Sequence, residues 1–173
     1  MNLGTLDLLN DVIVGALVVL FLPVWLFAVF VSIKRRRTGD RRSDRFATLG
    51  ALGVLSLGGA SALISTSIRS ATLDETLAFL KGARAAHLTI EGRPIANSGE
   101  ILAALTTLAP LEAHHSSHGP LMRFVITATN GTLVLLVGRD GHNHREYWVF
   151  HPAYRATRTN EIGRIKTAAL DAF

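Results

Sequence analysis

The chain begins with two long uncharged segments separated by a short basic one. No residue from Val12 to Ile33 is charged, and a second uncharged segment runs from Ala47 to Ile68. A helix rises about 1.5 Å per residue, so each segment is long enough to cross a hydrocarbon core of about 30 Å. Helices buried in soluble proteins seldom stay apolar on every face over such a length. The pattern predicts a two-helix transmembrane hairpin over residues 1–68, with spans at 12–33 and 47–68.

The second span is richer in small residues than the first. Small side chains let two membrane helices approach closely, because bulky side chains of one helix fill the groove that the small residues leave on the other. We therefore predict a helix-packing face on the second span, formed by Ser56, Gly58, Ala60 and Ala62.

The basic loop at residues 34–45 sets the predicted orientation. It holds seven Lys or Arg residues and two Asp residues, and dense positive charge beside a span stays in the cytoplasm. Both termini, and the domain at residues 69–173, are then extracytoplasmic in a multi-pass protein of the inner membrane. The alternative is a signal peptide cleaved near Ala60-Ser61-Ala62, which leaves the C-terminal domain on the same side.

Helical and strand patterns alternate after the second span. Thr72-Leu73-Asp74-Glu75 has the form of a capping box and predicts a short helix that ends near Gly82. Residues 87–90 alternate as a strand before a turn at Glu91-Gly92-Arg93-Pro94. A second helix is predicted to begin at Asn97 or Ser98 and to end at Ala109-Pro110.

Asn130-Gly131 predicts a type I′ hairpin turn between two apolar strands. That turn would place Ile126 opposite Leu135 and Phe124 opposite Val137 on one face of the hairpin. The second strand of this hairpin is apolar on both sides and is predicted to be central. A third strand is predicted at residues 146–151, and the tail from residue 160 fits either a fourth strand at 162–166 or a closing helix at 168–173.

These elements predict one small α+β domain at residues 69–173. Its antiparallel sheet would carry two to three helices on one face. About one hundred residues suffice for one hydrophobic core.

The distribution of charge argues against a nucleic-acid partner. The formal net charge is +5, and the loop at 34–45 alone carries +5, while the rest of the chain nearly balances. A nucleic-acid surface needs its basic residues spread over a folded face. The chain also has no cysteine, which excludes disulfides, thiolate metal sites and a cysteine nucleophile.

Histidines are the candidate metal ligands. Five of them lie in two polar segments, near Glu112 and Asp140. Imidazole and carboxylate groups at such spacings can hold zinc or copper, although polar loops also carry histidine without binding a metal. The candidate metal ligands are His114, His115, His118, His142 and His144.

No pattern of residues indicates catalysis. The chain has no Gly-x-Ser-x-Gly turn, no H-E-x-x-H motif and no glycine-rich nucleotide loop, so we expect a non-enzymatic protein without a required cofactor. Aromatic side chains next to arginines favour protein contacts, although at strand spacing such side chains more often belong to a core. The candidate interaction residues are Tyr147, Trp148, Arg155 and Arg158.

The leading functional hypothesis is a bacterial membrane-anchored protein whose outer domain binds a protein partner or ligand. Such a protein would serve as an accessory or regulatory subunit, and its partners would be the lipid bilayer and other membrane subunits or further copies of itself. One alternative is a metal sensor or carrier that uses the histidine segments. Another is an oligomeric pore, which is weakened because neither predicted span carries a charged residue.

Overall fold

The computed structural model describes residues 2–38, 43–96, 98–110 and 116–173. The chain divides into two compact units, Met1–Ser67 and Ile68–Phe173. Helix α1 spans Leu3–Thr38 and helix α2 spans Ser43–Gly82, so α2 begins in the first unit and ends in the second.

One helical stretch among the described residues, Leu3–Phe27, is long and apolar enough to cross a membrane. Large apolar side chains such as Val18, Val19 and Phe30 are exposed on α1, which suits lipid better than water. By length and composition the stretch fits a membrane span or a signal sequence. Residues 47–68 are helical within α2, but they are not identified as a second span. The two-helix transmembrane hairpin therefore stays a prediction.

A buried polar contact joins helices α1 and α2 within the first unit. The Ser61 hydroxyl donates a hydrogen bond of 2.9 Å to Asn10 Oδ1, and both residues are buried. Of the four residues predicted to pack against another helix, Gly58 and Ala60 are half-buried, whereas Ser56 and Ala62 are exposed.

The second unit contains a six-stranded antiparallel sheet in the order β2-β1-β3-β4-β5-β6. This confirms the predicted antiparallel sheet with helices and the central position of β4. The strands are β1 His87–Ile90, β2 Arg93–Pro94, β3 His118–Ala128, β4 Gly131–Asp140, β5 Glu146–Phe150 and β6 Gly163–Lys166; the two short helices are α3 Gly99–Leu105 and α4 Arg155–Thr159.

The hydrophobic core lies between one face of the sheet and the helices. Leu73 and Leu80 of α2 and Ile101 and Leu105 of α3 are buried against it. Strand residues at every second position face these helices, as the alternation of a pleated strand requires. They include Leu88, Ile90, Phe124, Ile126, Leu133, Leu135, Val137, Tyr147, Val149 and Ile165.

The predicted register of the β3–β4 hairpin is wrong by two residues. The structure pairs Ala128 with Gly131 and Ile126 with Leu133, so Thr129 and Asn130 form the loop. Asn130 does not have the positive φ that a type I′ turn needs. Its side-chain amide instead donates to the carbonyl of Phe79 at 3.0 Å, which ties the loop to α2. A two-residue shift preserves the inward face, so the predicted core residues remain correct.

Two predicted helices differ in extent from the observed ones. The predicted helix at 72–82 is the last part of α2, because the Thr72 hydroxyl bonds back to the carbonyl of Ile68 at 2.7 Å and does not cap a new helix. Helix α3 ends at Leu105, four residues before the predicted end. The chain then reaches Ala109, which forms an isolated bridge with Arg164 of β6. The tail forms a strand, as one of the two alternatives predicted.

The two buried threonines of α2 are expected to respond oppositely to loss of their hydroxyl group. Within the described part of the chain, the Thr76 hydroxyl is buried without a hydrogen-bond partner, whereas that of Thr72 is bonded. Thr76→Val should raise the free energy of unfolding by about 1 kcal/mol, because a buried unpaired polar group is removed. Thr72→Val should lower it by a similar amount. Denaturant unfolding of the full chain in detergent measures both, and equal changes would contradict the assignment.

Candidate binding cleft

A cleft opens beside β4 where its neighbour β5 ends. Strand β4 pairs with β5 only from Leu136 to Arg139. Beyond Phe150 the chain turns away, because the His151 N–H donates to the carbonyl of Thr157 at 3.0 Å and the His151 carbonyl accepts the Thr157 hydroxyl at 2.7 Å. Among the described residues no strand pairs with Gly131–Leu135 on the side away from β3.

The cleft encloses a cavity of about 590 Å³, a size typical of ligand sites. One side is formed by α2 and another by the segment that follows β5. The lining residues are Glu75, Phe79, Arg123, Thr132, Leu133, Val134, His151, Pro152, Ala153 and Tyr154.

Three contacts hold the sides of the cleft in place. The Tyr154 hydroxyl donates a 3.2 Å hydrogen bond to Glu75 Oε2, which joins the segment after β5 to α2. The Tyr154 ring also stacks on the His151 imidazole, with centroids 5.6 Å apart. On α2, the bond from Asn130 to the Phe79 carbonyl keeps this residue beside the start of β4. These contacts connect the segment after β5, α2 and the start of β4 around the cleft.

The polar groups of the cleft are suited to binding. Burial lowers the pKa of His151, which Glu75 partly offsets, so the imidazole is neutral near pH 7. Its Nδ1 accepts the Ala153 N–H at 3.3 Å, which places the ring proton on Nε2. Arg123 is exposed, and its guanidinium has no ion-pair partner in the described ranges. Apolar walls with a few placed polar groups are typical of a recognition site.

A buried charged cluster lies on the sheet face opposite the core. Arg164 donates from Nε and Nη2 to Glu161 at 2.7 and 3.0 Å, and from Nη1 to Glu146 at 2.9 Å. Its guanidinium lies 4.0 Å from the centroid of the Trp148 ring. The hydrogen bonds to Glu161 and Glu146 raise the pKa of Arg164 despite its burial. The cluster joins β5, β6 and the segment before β6.

Asp140 extends this cluster into the turn between β4 and β5. Its carboxylate accepts the Ser116 hydroxyl at 2.6 Å, Trp148 Nε1 at 2.8 Å, and the backbone N–H groups of His142 and Asn143 at 2.8 and 2.9 Å. Burial by itself would raise the pKa of Asp140, but these hydrogen bonds prevail and hold it well below its ordinary value. The charged form of Asp140 is therefore part of the fold.

Acid should weaken the wild type more than an Asp140→Asn variant. The pKa of Asp140 is lower in the folded state than in the unfolded state. Its contribution to the free energy of unfolding is therefore fully present above the ordinary pKa of about 3.9, and it is lost as the pH falls from that value toward the pKa of the folded state. Between pH 5 and pH 3 the wild type should lose about 1 kcal/mol more of its free energy of unfolding than the variant. Denaturant unfolding at the two pH values measures this. Parallel losses would contradict it.

The described histidines do not assemble a metal site. His118 begins β3 and packs edge-on against Trp148 and Phe150, with ring centroids 5.6 and 5.1 Å apart. His142 and His144 are exposed in the turn after β4. No group of three or more His, Asp or Glu side chains in the described ranges is placed to hold a metal ion. His114 and His115 lie outside those ranges, so the zinc or copper site stays a prediction.

The candidate interaction residues separate in the structure. Tyr147 is buried in the core, so packing rather than contact accounts for it. Trp148 is half-buried on the opposite face, and Arg155 and Arg158 are exposed on α4. Arg158 donates to the Pro152 carbonyl at 3.2 and 3.0 Å, and thus supports the segment that borders the cleft.

No pattern of residues in the sequence predicted the cleft. Pro152 is the residue that could have indicated it, because proline lacks an N–H and cannot continue the hydrogen-bond ladder of β5.

Comparison of the chain with protein-family models, with curated proteins and with solved structures finds no match.

Proposed function

We propose that this chain is a non-enzymatic, membrane-anchored binding protein whose outer domain holds a protein partner in the cleft beside β4. It would act as an accessory or regulatory subunit of a bacterial membrane complex. The observation that carries the proposal is the edge of β4 at Gly131–Leu135, which no strand among the described residues covers on the side away from β3 and of which Thr132, Leu133 and Val134 line the cavity. An unpaired strand edge is a ready surface for another polypeptide.

The proposed anchor is a two-helix hairpin with both termini outside the cytoplasm. The buried hydrogen bond between Asn10 and Ser61 supports close packing of α1 and α2, because polar side chains join helices within a membrane. The basic residues at 34–45 support a cytoplasmic loop.

Co-purification of partners with a cleft-filling variant tests the proposal. Thr132 is exposed in the part of β4 that no described strand covers on the side away from β3. Thr127 lies directly opposite it in β3 and is also exposed, but it has strand neighbours on both sides. A Thr132→Trp variant, purified in mild detergent, should lose a protein that the wild type and Thr127→Trp retain. Equal retention by all three, or retention by none, would contradict the proposal.

A further inference from the structure

We infer that the cleft takes its partner as an extended polypeptide strand, added to β4 along Gly131–Leu135 with an acidic side chain beside Arg123. The inference deepens the proposed function and rests on it. It names the conformation of the bound segment and the chemistry that selects it.

The backbone of β4 identifies the class of ligand. In a strand, the N–H and C=O groups of alternate residues point to opposite sides. One alternate set within Gly131–Leu135 therefore points toward β3, and the other points into the cleft, where no described strand meets it. Regularly spaced donors and acceptors of this kind are matched by another extended backbone. Five residues of strand span about 17 Å, enough for a short segment.

The surroundings of this edge leave room for a strand in the plane of the sheet. The cavity is lined by Thr132, Leu133 and Val134 on one side and by the segment His151–Tyr154 on the other. That segment directly follows β5, whose own pairing with β4 stops at Leu136. An added strand would thus occupy the place at which β5 ceases to cover β4. Its backbone would complete the sheet.

The side chains of the cleft select for an alternating segment. On the core side of the sheet, an added strand meets Phe79 and Leu133, which favour apolar side chains. On the opposite side it meets Val134 and Arg123. Because Arg123 has no ion-pair partner in the described part of the chain, a carboxylate on the added strand complements it. The carboxylate of Glu75 already accepts a hydrogen bond from Tyr154. The guanidinium of Arg123 is therefore the more accessible charged group of the cleft, and a carboxylate on the ligand suits it.

Disulfide capture in the full chain tests this inference directly. The chain has no cysteine, so Thr132→Cys introduces a single thiol beside the free edge, and Thr127→Cys is the matched control within the sheet. The probe is a nine-residue peptide of alternating valine and threonine with one cysteine and, two positions away on the same face, one aspartate. Capture in a thiol exchange buffer is measured by mass spectrometry.

Methylation of the peptide backbone distinguishes strand addition from other binding. Two further probes carry N-methyl groups on one or the other alternate set of amides. We expect at least about tenfold more capture by Thr132→Cys than by Thr127→Cys. Methylation of one set of amides should lower capture by Thr132→Cys by a similar factor, whereas methylation of the other set should leave capture unchanged. The reason is that only one set of peptide amides faces β4. Exchange of aspartate for lysine should lower capture, and Arg123→Gln should abolish that difference.

The opposite results overturn the inference. These are equal capture by the two cysteine variants, no capture of the unmethylated peptide, equal effects of the two methylated sets, or no preference for aspartate. If Thr132→Trp loses a partner in co-purification but any of these results is obtained, the proposed binding function stands and strand addition is rejected. Failure of the co-purification would reject the proposed function itself.

Discussion

Replacing Arg164 with alanine is expected to lower the free energy of unfolding by about 3–5 kcal/mol. The side chain is buried, with Glu146 at 2.9 Å and Asp140 at 4.0 Å from its Nη1. Both carboxylates are themselves buried. Removal of the guanidinium takes the buried cation away from two buried carboxylates in a medium where solvation is poor. The contact of Lys166 Nζ with Glu146 at 3.7 Å and the hydrogen bonds to Asp140 offset this loss only in part, and the penalty exceeds the value of the pair itself. The lost contact with the Trp148 ring adds to the effect.

Trp148 fluorescence in a Trp25→Phe background reports unfolding of the sheet in the full chain. The matched control is Arg158→Ala, because Arg158 is exposed and its guanidinium bonds only a backbone carbonyl among the described residues. This control should change the free energy of unfolding by less than about 1 kcal/mol. A difference of under 1 kcal/mol between the two variants would show that the cluster does not stabilise the sheet.

A phosphatase that is active only outside the cytoplasm should be active when fused after Phe173. The expectation follows from the proposed pair of spans, which flank a basic loop that its positive charge would keep in the cytoplasm. A truncated fusion after Thr38 should be inactive, because its reporter would follow one span and the residues Lys34–Arg37. The difference between the fusions should be close to all-or-none.

A single span gives a different result from these fusions. If α1 alone crosses the membrane with the basic segment inside, the reporter after Phe173 remains in the cytoplasm and is inactive. That result would remove the hairpin and the outward location of the sheet together. A reporter active in both fusions would contradict the orientation set by the basic residues.

The secondary structure and core of the second unit could be predicted because their signals are local. Alternation of apolar residues along β3 and β4 places Phe124, Ile126 and Leu135 on the inner face whatever the turn. The register could not be predicted, because it depends on the contact between Asn130 and the carbonyl of Phe79, residues 51 positions apart. The turn with two positive φ angles is at Glu91-Gly92, which is the first half of the turn predicted over Glu91–Pro94; Arg93–Pro94 forms β2 instead.

The cleft and the charged cluster could not be predicted either, because they also depend on contacts between distant segments. Arg164 and Glu146 are ordinary charged residues in the sequence, and only the pairing of β5 with β6 makes them buried neighbours. The cleft depends on the bonds of His151 to Thr157, which direct the chain away from β4. Both features arise from contacts between segments, which periodicity does not encode.

Photo-crosslinking in intact cells tests the binding function most directly. A photoreactive amino acid is placed at Thr132 in one variant and at Thr127 in the other, and both are irradiated under identical conditions. We expect a discrete crosslinked species for position 132 that is absent for position 127. Identical patterns at the two positions, or no crosslinked protein at position 132, would contradict the claim that a polypeptide partner occupies the open side of β4.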